Sequence, residues 1–549
     1  MNRVALFLAS TLLAATPAFT ADFDPQRLSN HVRTLGSDAF EGRGVATRAE
    51  GKTVDYLVGQ FRAAGLAPGG DLVRGKRLWT QAVPLLRSEF TADPKVSVRL
   101  PDGRLLPLAQ REQIAVRSPM DGSKSLAIAA APLVFVGYGV AAPERGWDDF
   151  KGVDVRGKIL VLLINDPDFD GPGDGDFGGK AMTYYGRWTY KYEEAARRGA
   201  AGVMIVHETD PASYGWATVK NSNTNTMFDI VRDKPRSVHT PFESWIQRDV
   251  AKDIFAAAGL DFEVARAAAR RKDFRPIPLK ASLNASGTAR SSVITSRNVA
   301  ALLPGKRHPN ETLIYSAHWD HLGIGQPDAK GDRIYNGAID NGTGLAQLIE
   351  QARAFAREPR TDRSILFLAV TAEEKGLLGS EYYGNHPLYP LATTVAVLNT
   401  DSMGVQGPAR DFSISGTARL GLLDELIADG TRQGRRFTAD PHPESGGFYR
   451  SDHFSMAKVG VPAISFKPGL DIVRGGTARG EAWAKNYTTT MYHQPADEWS
   501  PQWDFTGMAQ DATLLHSLGK RLASSRLWPN WSKDSEFRAA RDRTAALRR

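Results

Sequence analysis

A chain of 549 residues, 42% hydrophobic and 24% charged, describes a soluble globular protein of two or three domains rather than one. Its net charge of +8 does not point to nucleic acid: residues 521–549 hold eight Lys/Arg against three Asp/Glu, most of the excess, and no basic motif interleaved with aromatics accompanies them. There is no Cys, which excludes disulfides and thiolate metal sites.

Residues 1–20 read as a signal peptide: Arg3, an apolar run over 4–15, then the small residues Ala18, Thr20 and Ala21 near the expected cleavage point. That run is too short to span a bilayer, and no later one is long enough, so an exported bacterial protein, periplasmic or secreted, without stable membrane insertion is expected. Over residues 24–65 helical spacing carries Tyr56, Leu57, Phe61 and Leu66, with Gly65 and Pro68 as stop signals. These belong to a first segment, 22–110.

Residues 111–290 read as a separate β-rich unit. Residues 133–137, 158–164 and 202–206 are apolar strands, and 190–198 a helix closed by Gly199. The Asp/Gly/Pro stretch 166–179 matches no calcium-loop spacing and reads as a solvated loop. Tyr185 and Trp188 become cleft contacts if this unit leans over the site. From 291 to 525 strands at 312–317, 364–370, 394–398 and 462–466 alternate with helices, one presenting Leu345, Leu348, Ile349, Ala352 and Phe355. This is an α/β pattern: a mixed, largely parallel sheet flanked by helices. Residues 526–549 form a basic C-terminal tail, read as a short surface helix or as disordered.

Five residues able to bind a divalent metal follow in order: His318 in SAHWDHLG, Asp340 in NGAIDNGTG, Glu374 in TAEEKGLLGSE, Asp401 in LNTDSMG and His493 in YHQPADEW. Three of the segments follow strand ends, where ligands bind in open α/β sheets. Two imidazoles and three carboxylates are one shared ligand short of two three-ligand sites. If Asp340 is shared, His318, Asp340 and Asp401 hold one ion and Glu374, Asp340 and His493 the other. Asp320, two residues beyond His318, lies on its face of an extended segment and is placed to orient the ring. Glu373 and Glu374 repel unless a cation neutralises one, and a metal on Glu374 leaves Glu373 to accept a proton from water. Taken singly, Asp340-Asn341-Gly342 reads as a turn; the weight lies in the joint occurrence.

These segments resemble the co-catalytic zinc exopeptidases of metallopeptidase family M28, the bacterial leucyl-type aminopeptidases. The resemblance implies the zinc exopeptidase fold and two Zn2+ per chain, with Co2+ or Mn2+ able to occupy the same ligands. It makes Asp340 the bridge, Glu373 the general base and Asp320 the residue that orients His318. It further implies cleavage of the N-terminal peptide bond of peptides and a cis peptide after Asp340. Residues 40–70 resemble the opening of such enzymes. The stretch VFVGYGVAAPERGWDDFKGVDVRGKILVLLINDP, with AARRGAAGVMIVH, resembles an inserted protease-associated (PA) domain. In FYRSDHFSMAKVGVPAISF, Ser451 is placed to cap a helix starting at Asp452, while Tyr449, Asp452 and His453 are candidates for substrate contact. Alternatives are a carboxypeptidase or dipeptidase of the same fold, a glutaminyl-cyclase-like acyltransferase with one zinc, and a receptor-like module, which would lack ligands this chain keeps.

Overall fold

A computed structural model describes residues 23–171, 177–533 and 535–548. The expected signal peptide lies outside the described residues, as does the middle of the Asp/Gly/Pro loop. Among the described residues no helix is long and apolar enough to cross a membrane.

The C-terminal half is built on four parallel strands in the order Arg363–Val370, His308–His318, Thr394–Thr400 and Ala463–Pro468. Antiparallel neighbours extend them, the end of Ile277–Leu303 on one side and Asp411–Ile414 on the other. Alternation along the strands sorts side chains to two faces. Leu313, Tyr315, Ala317, Phe367 and Ala369 meet the helices Gly344–Arg357, Thr506–Ala523, Pro25–Leu35 and Arg48–Ala63 in the main core. Ile314, Leu366, Leu368, Val370 and Val397 point the other way, onto Tyr383 and Met456 of the helices Leu378–Asn385 and His453–Lys458. A sheet buried on both faces explains why these strands read as unbroken apolar runs. The expected mixed, largely parallel sheet with flanking helices is what the chain forms.

A second lobe has its own core, including Phe135, Val161, Met204, Ile246 and Phe255. Strands Ile159–Leu163, Gly202–His207 and Phe242–Gln247 pair in parallel within it. Two expectations about boundaries need correcting. The second core already includes Val96, Val98, Leu100 and Leu108, upstream of position 111. At the other end the chain does not break near 290. The strand Ile277–Leu303 runs 27 residues without interruption, pairing with Ser125–Phe135 in the second lobe, then with Thr80–Phe90, then with the central sheet. Antiparallel pairing is unbroken along Ala289–Val299, so no Gly- or Pro-rich linker marks the crossing.

The described part of 526–548 includes a short helix, Arg538–Asp542, but the segment is not confined to the surface. Trp531 and Phe537 are buried in the main core, the Trp531 indole N–H donates to the Gly460 carbonyl at 3.1 Å, and Arg541 is buried near the carbonyls of Leu391 and Val395. Aromatic side chains among the arginines carry this segment inward, which its charge alone conceals.

Candidate metal centre

The five expected ligands converge at the carboxyl ends of the parallel strands. His318 is the last residue of its strand, Asp401 follows Thr400, and Glu373 and Glu374 begin a short turn after Val370. Asp340 precedes the helix Gly344–Arg357, and the Asp340–Asn341 peptide is cis. His318 Nε2 lies 3.3 Å from Asp340 Oδ1 and 3.6 Å from Asp401 Oδ1. His493 Nε2 lies 3.3 Å from Asp340 Oδ2 and 3.1 Å from Glu374 Oε2. The two oxygens of Asp340 therefore face different imidazoles. Donor atoms of His318, Asp340 and Asp401 all fall within 4.8 Å of one another, as do those of His321, Asp340 and Glu374. Imidazole and carboxylate in these combinations are donors that fit zinc.

Supporting residues set this geometry, several of them unforeseen. Asp320 orients His318 through its main chain: His318 Nδ1 is 3.1 Å from the Asp320 carbonyl and 3.9 Å from its nearer carboxylate oxygen. The carboxylate instead accepts the backbone N–H groups of Glu373 and Glu374, at 3.0 and 3.3 Å. Asp497 plays the same part at the bridging loop, accepting the N–H groups of Ile339 and Asp340 at 2.9 and 3.1 Å. Arg43, wholly buried, donates to the carbonyls of Trp319, Leu35, Asn336 and Gly337 and so ties the His318 and Asp340 segments to the N-terminal region. Ser451 caps no helix; its hydroxyl donates to Asp401 Oδ2 at 2.7 Å and accepts from the Asn399 amide. His321, within the segment of His318 but not assigned there a role, has Nδ1 2.6 Å from Glu374 Oε1, while its Nε2 is buried without a hydrogen-bond partner. The ring stands edge-on to His493 at 5.6 Å.

Backbone strain concentrates at the same turns. Ala372, Ser402 and His493 adopt φ of 54°, 56° and 57°, the left-handed region that L side chains seldom occupy. Each costs on the order of 1–3 kcal/mol, and such positions cluster where a site over-determines the chain.

The charges are strongly coupled. Burial holds the Glu373 carboxyl well above the usual range, with His318 opposing and Glu374 reinforcing. Burial works against the ionised Glu374, but His493 and His321 together more than offset it and hold that carboxyl low. His493 is pushed up to about 10, burial being overcome by Glu374 and Asp340. Burial lifts Asp320 and Asp497 to about 6 each, against the N–H groups they accept.

A cleft of about 2310 Å³ opens over the site, between the two lobes. Asp340, Glu373, Glu374, Asp401 and His493 line it together with Trp188 and Tyr449. Tyr185 is not among its lining. Asp452 and His453 are also not, being 1% and 0% exposed, and burial lowers the His453 imidazole to about 3. Their expected contact with substrate is withdrawn: helix His453–Lys458 turns both into the protein.

Residues 298–516 match Peptidase family M28. They form a family M28 peptidase domain. A "Probable zinc metalloprotease" from Pyricularia oryzae is 26% identical over 249 residues, 43% of this chain and 49% of that protein. The "Leupeptin-inactivating enzyme 1" of Streptomyces exfoliatus is 29% identical over 235 residues, 38% of this chain and 47% of that protein. The chain thus spans about half the length of the curated relatives it matches. A solved aminopeptidase from Aneurinibacillus sp. strain AM-1 superposes with a TM-score of 0.52 at 19% identity, covering 91% of this chain and 94% of that one. That likeness is one of fold, and it extends across both lobes. The M28 domain holds His318, Asp340, Glu374, Asp401 and His493, and the second lobe precedes it.

Proposed function

We propose that the protein is an exported, periplasmic or secreted, zinc-dependent aminopeptidase that binds two ions and releases the N-terminal residue of peptides. The observation that carries this reading is the Asp340 carboxylate, one oxygen 3.3 Å from His318 Nε2 and the other 3.3 Å from His493 Nε2. His318, Asp340 and Asp401 would hold one ion, and Asp340, Glu374 and His493 the other. When bound, the pair supplies Lewis acidity to the scissile carbonyl and lowers the pKa of the attacking water.

The chain's own groups do the rest. Glu373 opens onto the cleft with its main chain fixed by Asp320, and its carboxylate takes the proton from the attacking water. A carboxyl that burial holds high then passes that proton to the departing amine. Ser451 fixes Asp401, and Asp497 fixes Asp340, so the ligands keep their places through turnover. The four carboxylates on the cleft floor favour a cationic group there, which a free amino terminus provides. The second lobe, resembling a PA domain in sequence, covers the cleft and limits the size of what enters.

Rates on free peptides and their N-acetylated counterparts, with and without chelator, test this directly. Hydrolysis of free peptides alone, lost with chelator and restored by zinc, is expected. Equal rates on N-acetylated peptides would exclude the aminopeptidase assignment, and turnover unaffected by chelator would exclude the metal.

A further inference from the structure

Four arginines line the cleft, and they are not equivalent. Arg117 pairs with Glu243 at 3.0 Å, and Arg232 pairs with Asp229 at 2.7 Å and Glu381 at 2.8 Å. Arg187 and Arg450 pair with no carboxylate among the described residues. Arg450 Nη1 donates to Ser213 Oγ at 3.1 Å and the Ser445 carbonyl at 3.4 Å, and its guanidinium lies 5.3 Å from the Tyr214 ring centroid. The Arg187 Nε is sealed from solvent and makes no hydrogen bond.

The two come from opposite walls. Arg187 precedes the helix Trp188–Arg197 of the second lobe, whereas Arg450 precedes Ser451, whose hydroxyl holds the metal ligand Asp401. They also feel each other: burial, then the Arg450 charge, lowers Arg187 to about 10, with Tyr214 and Glu373 opposing. Two half-buried like charges that pair with no carboxylate are unfavourable in the free protein, so a planar anion entering the cleft gains from both. In a dipeptide the terminal carboxylate follows the scissile bond within about one residue length, ~3.8 Å of chain.

We propose that Arg187 and Arg450 form a clamp for a carboxylate of the peptide substrate, so that selectivity rests on this pair and not on the metal ligands. The proposal builds on the peptidase reading above. Two sources supply such a group: the C-terminus of a short peptide, or an acidic side chain just beyond the scissile bond.

The test compares Ala-Ala with Ala-Ala-amide, and Ala-Glu-amide with Ala-Gln-amide. Whichever source is used, the acid is expected to exceed its neutral partner in kcat/KM by roughly 10- to 100-fold, the range for hydrogen bonds to a charged group. That ratio should fall toward one in Arg187→Gln and Arg450→Gln and be partly restored in Arg450→Lys. Calorimetric binding of Ala-Ala with its peptide bond reduced to CH2–NH, as free acid and as amide, gives the same ratio without turnover. Ratios near one in both pairs would overturn the clamp while turnover of the amides leaves the peptidase reading standing. Loss of acid and neutral substrates alike in both glutamine variants would also overturn it.

Discussion

At the scale of single residues, the geometry of the candidate metal centre depends as much on groups that hold main chain as on the expected ligands. Asp320 and Asp497 each accept two consecutive N–H groups of a ligand-bearing loop. Asp497→Asn presents an N–H where an acceptor is needed, and zinc affinity should drop about 10- to 100-fold with the circular dichroism unchanged. His321→Asn should weaken the second ion by a similar factor, about 10- to 100-fold, since it releases Glu374; equilibrium dialysis against a competing chelator measures both. Glu373→Gln is expected to lower kcat about 10²- to 10⁴-fold while zinc content stays at the wild-type value, and loss of zinc would make Glu373 a ligand instead. That His318, Asp340, Glu374, Asp401 and His493 come together was legible because residue type and order limit what a His-Asp-Glu-Asp-His series can do. Arg43, Ser451 and Asp497 were not. Their partners are carbonyls, amides and a carboxylate brought close by tertiary approach, and a lone polar residue in a sequence does not announce its partner.

At the scale of elements, the parallel strands could be read as apolar runs because both faces of the sheet are covered. The lobe boundary could not, because one strand passes through it with its pairing unbroken. The C-terminal segment was misjudged for a related reason: its arginines dominate its composition while Trp531 and Phe537 determine its position. Trp531→Ala should therefore destabilise the protein by about 3–5 kcal/mol in denaturant unfolding, the usual range for deleting a buried aromatic. A change below about 0.5 kcal/mol would mean the segment does not pack as described.

At the scale of the whole molecule, the lobes are held together by polar contacts as well as by the continuous strand. Arg232, which follows the strand Met227–Ile230 packed in the main core, reaches Glu381 at 2.8 Å and pairs with Asp229. His239 links Asp229 to Glu243 of the second-lobe strand Phe242–Gln247, sitting 2.9 Å from both. Burial disfavours its charge, yet Glu243 and Asp229 raise it to about 9. A histidine raised in the folded state contributes stability that is complete below its unfolded pKa, near 6.5, and lost as pH rises through about 9. The Tm should thus fall between pH 7 and 9.5, and His239→Gln should flatten that decline; a Tm with the same slope in both proteins would remove the cluster from the account.

Everything proposed for this protein depends on Asp340 serving two ions at once. Zinc per chain, measured by inductively coupled plasma mass spectrometry after dialysis, addresses that sharing most directly. The wild type should carry two equivalents, Asp401→Ala and His493→Ala about one each, and Asp340→Ala close to none. A wild type saturating at one equivalent, or an Asp340→Ala protein that keeps a full equivalent, would contradict the shared-aspartate centre.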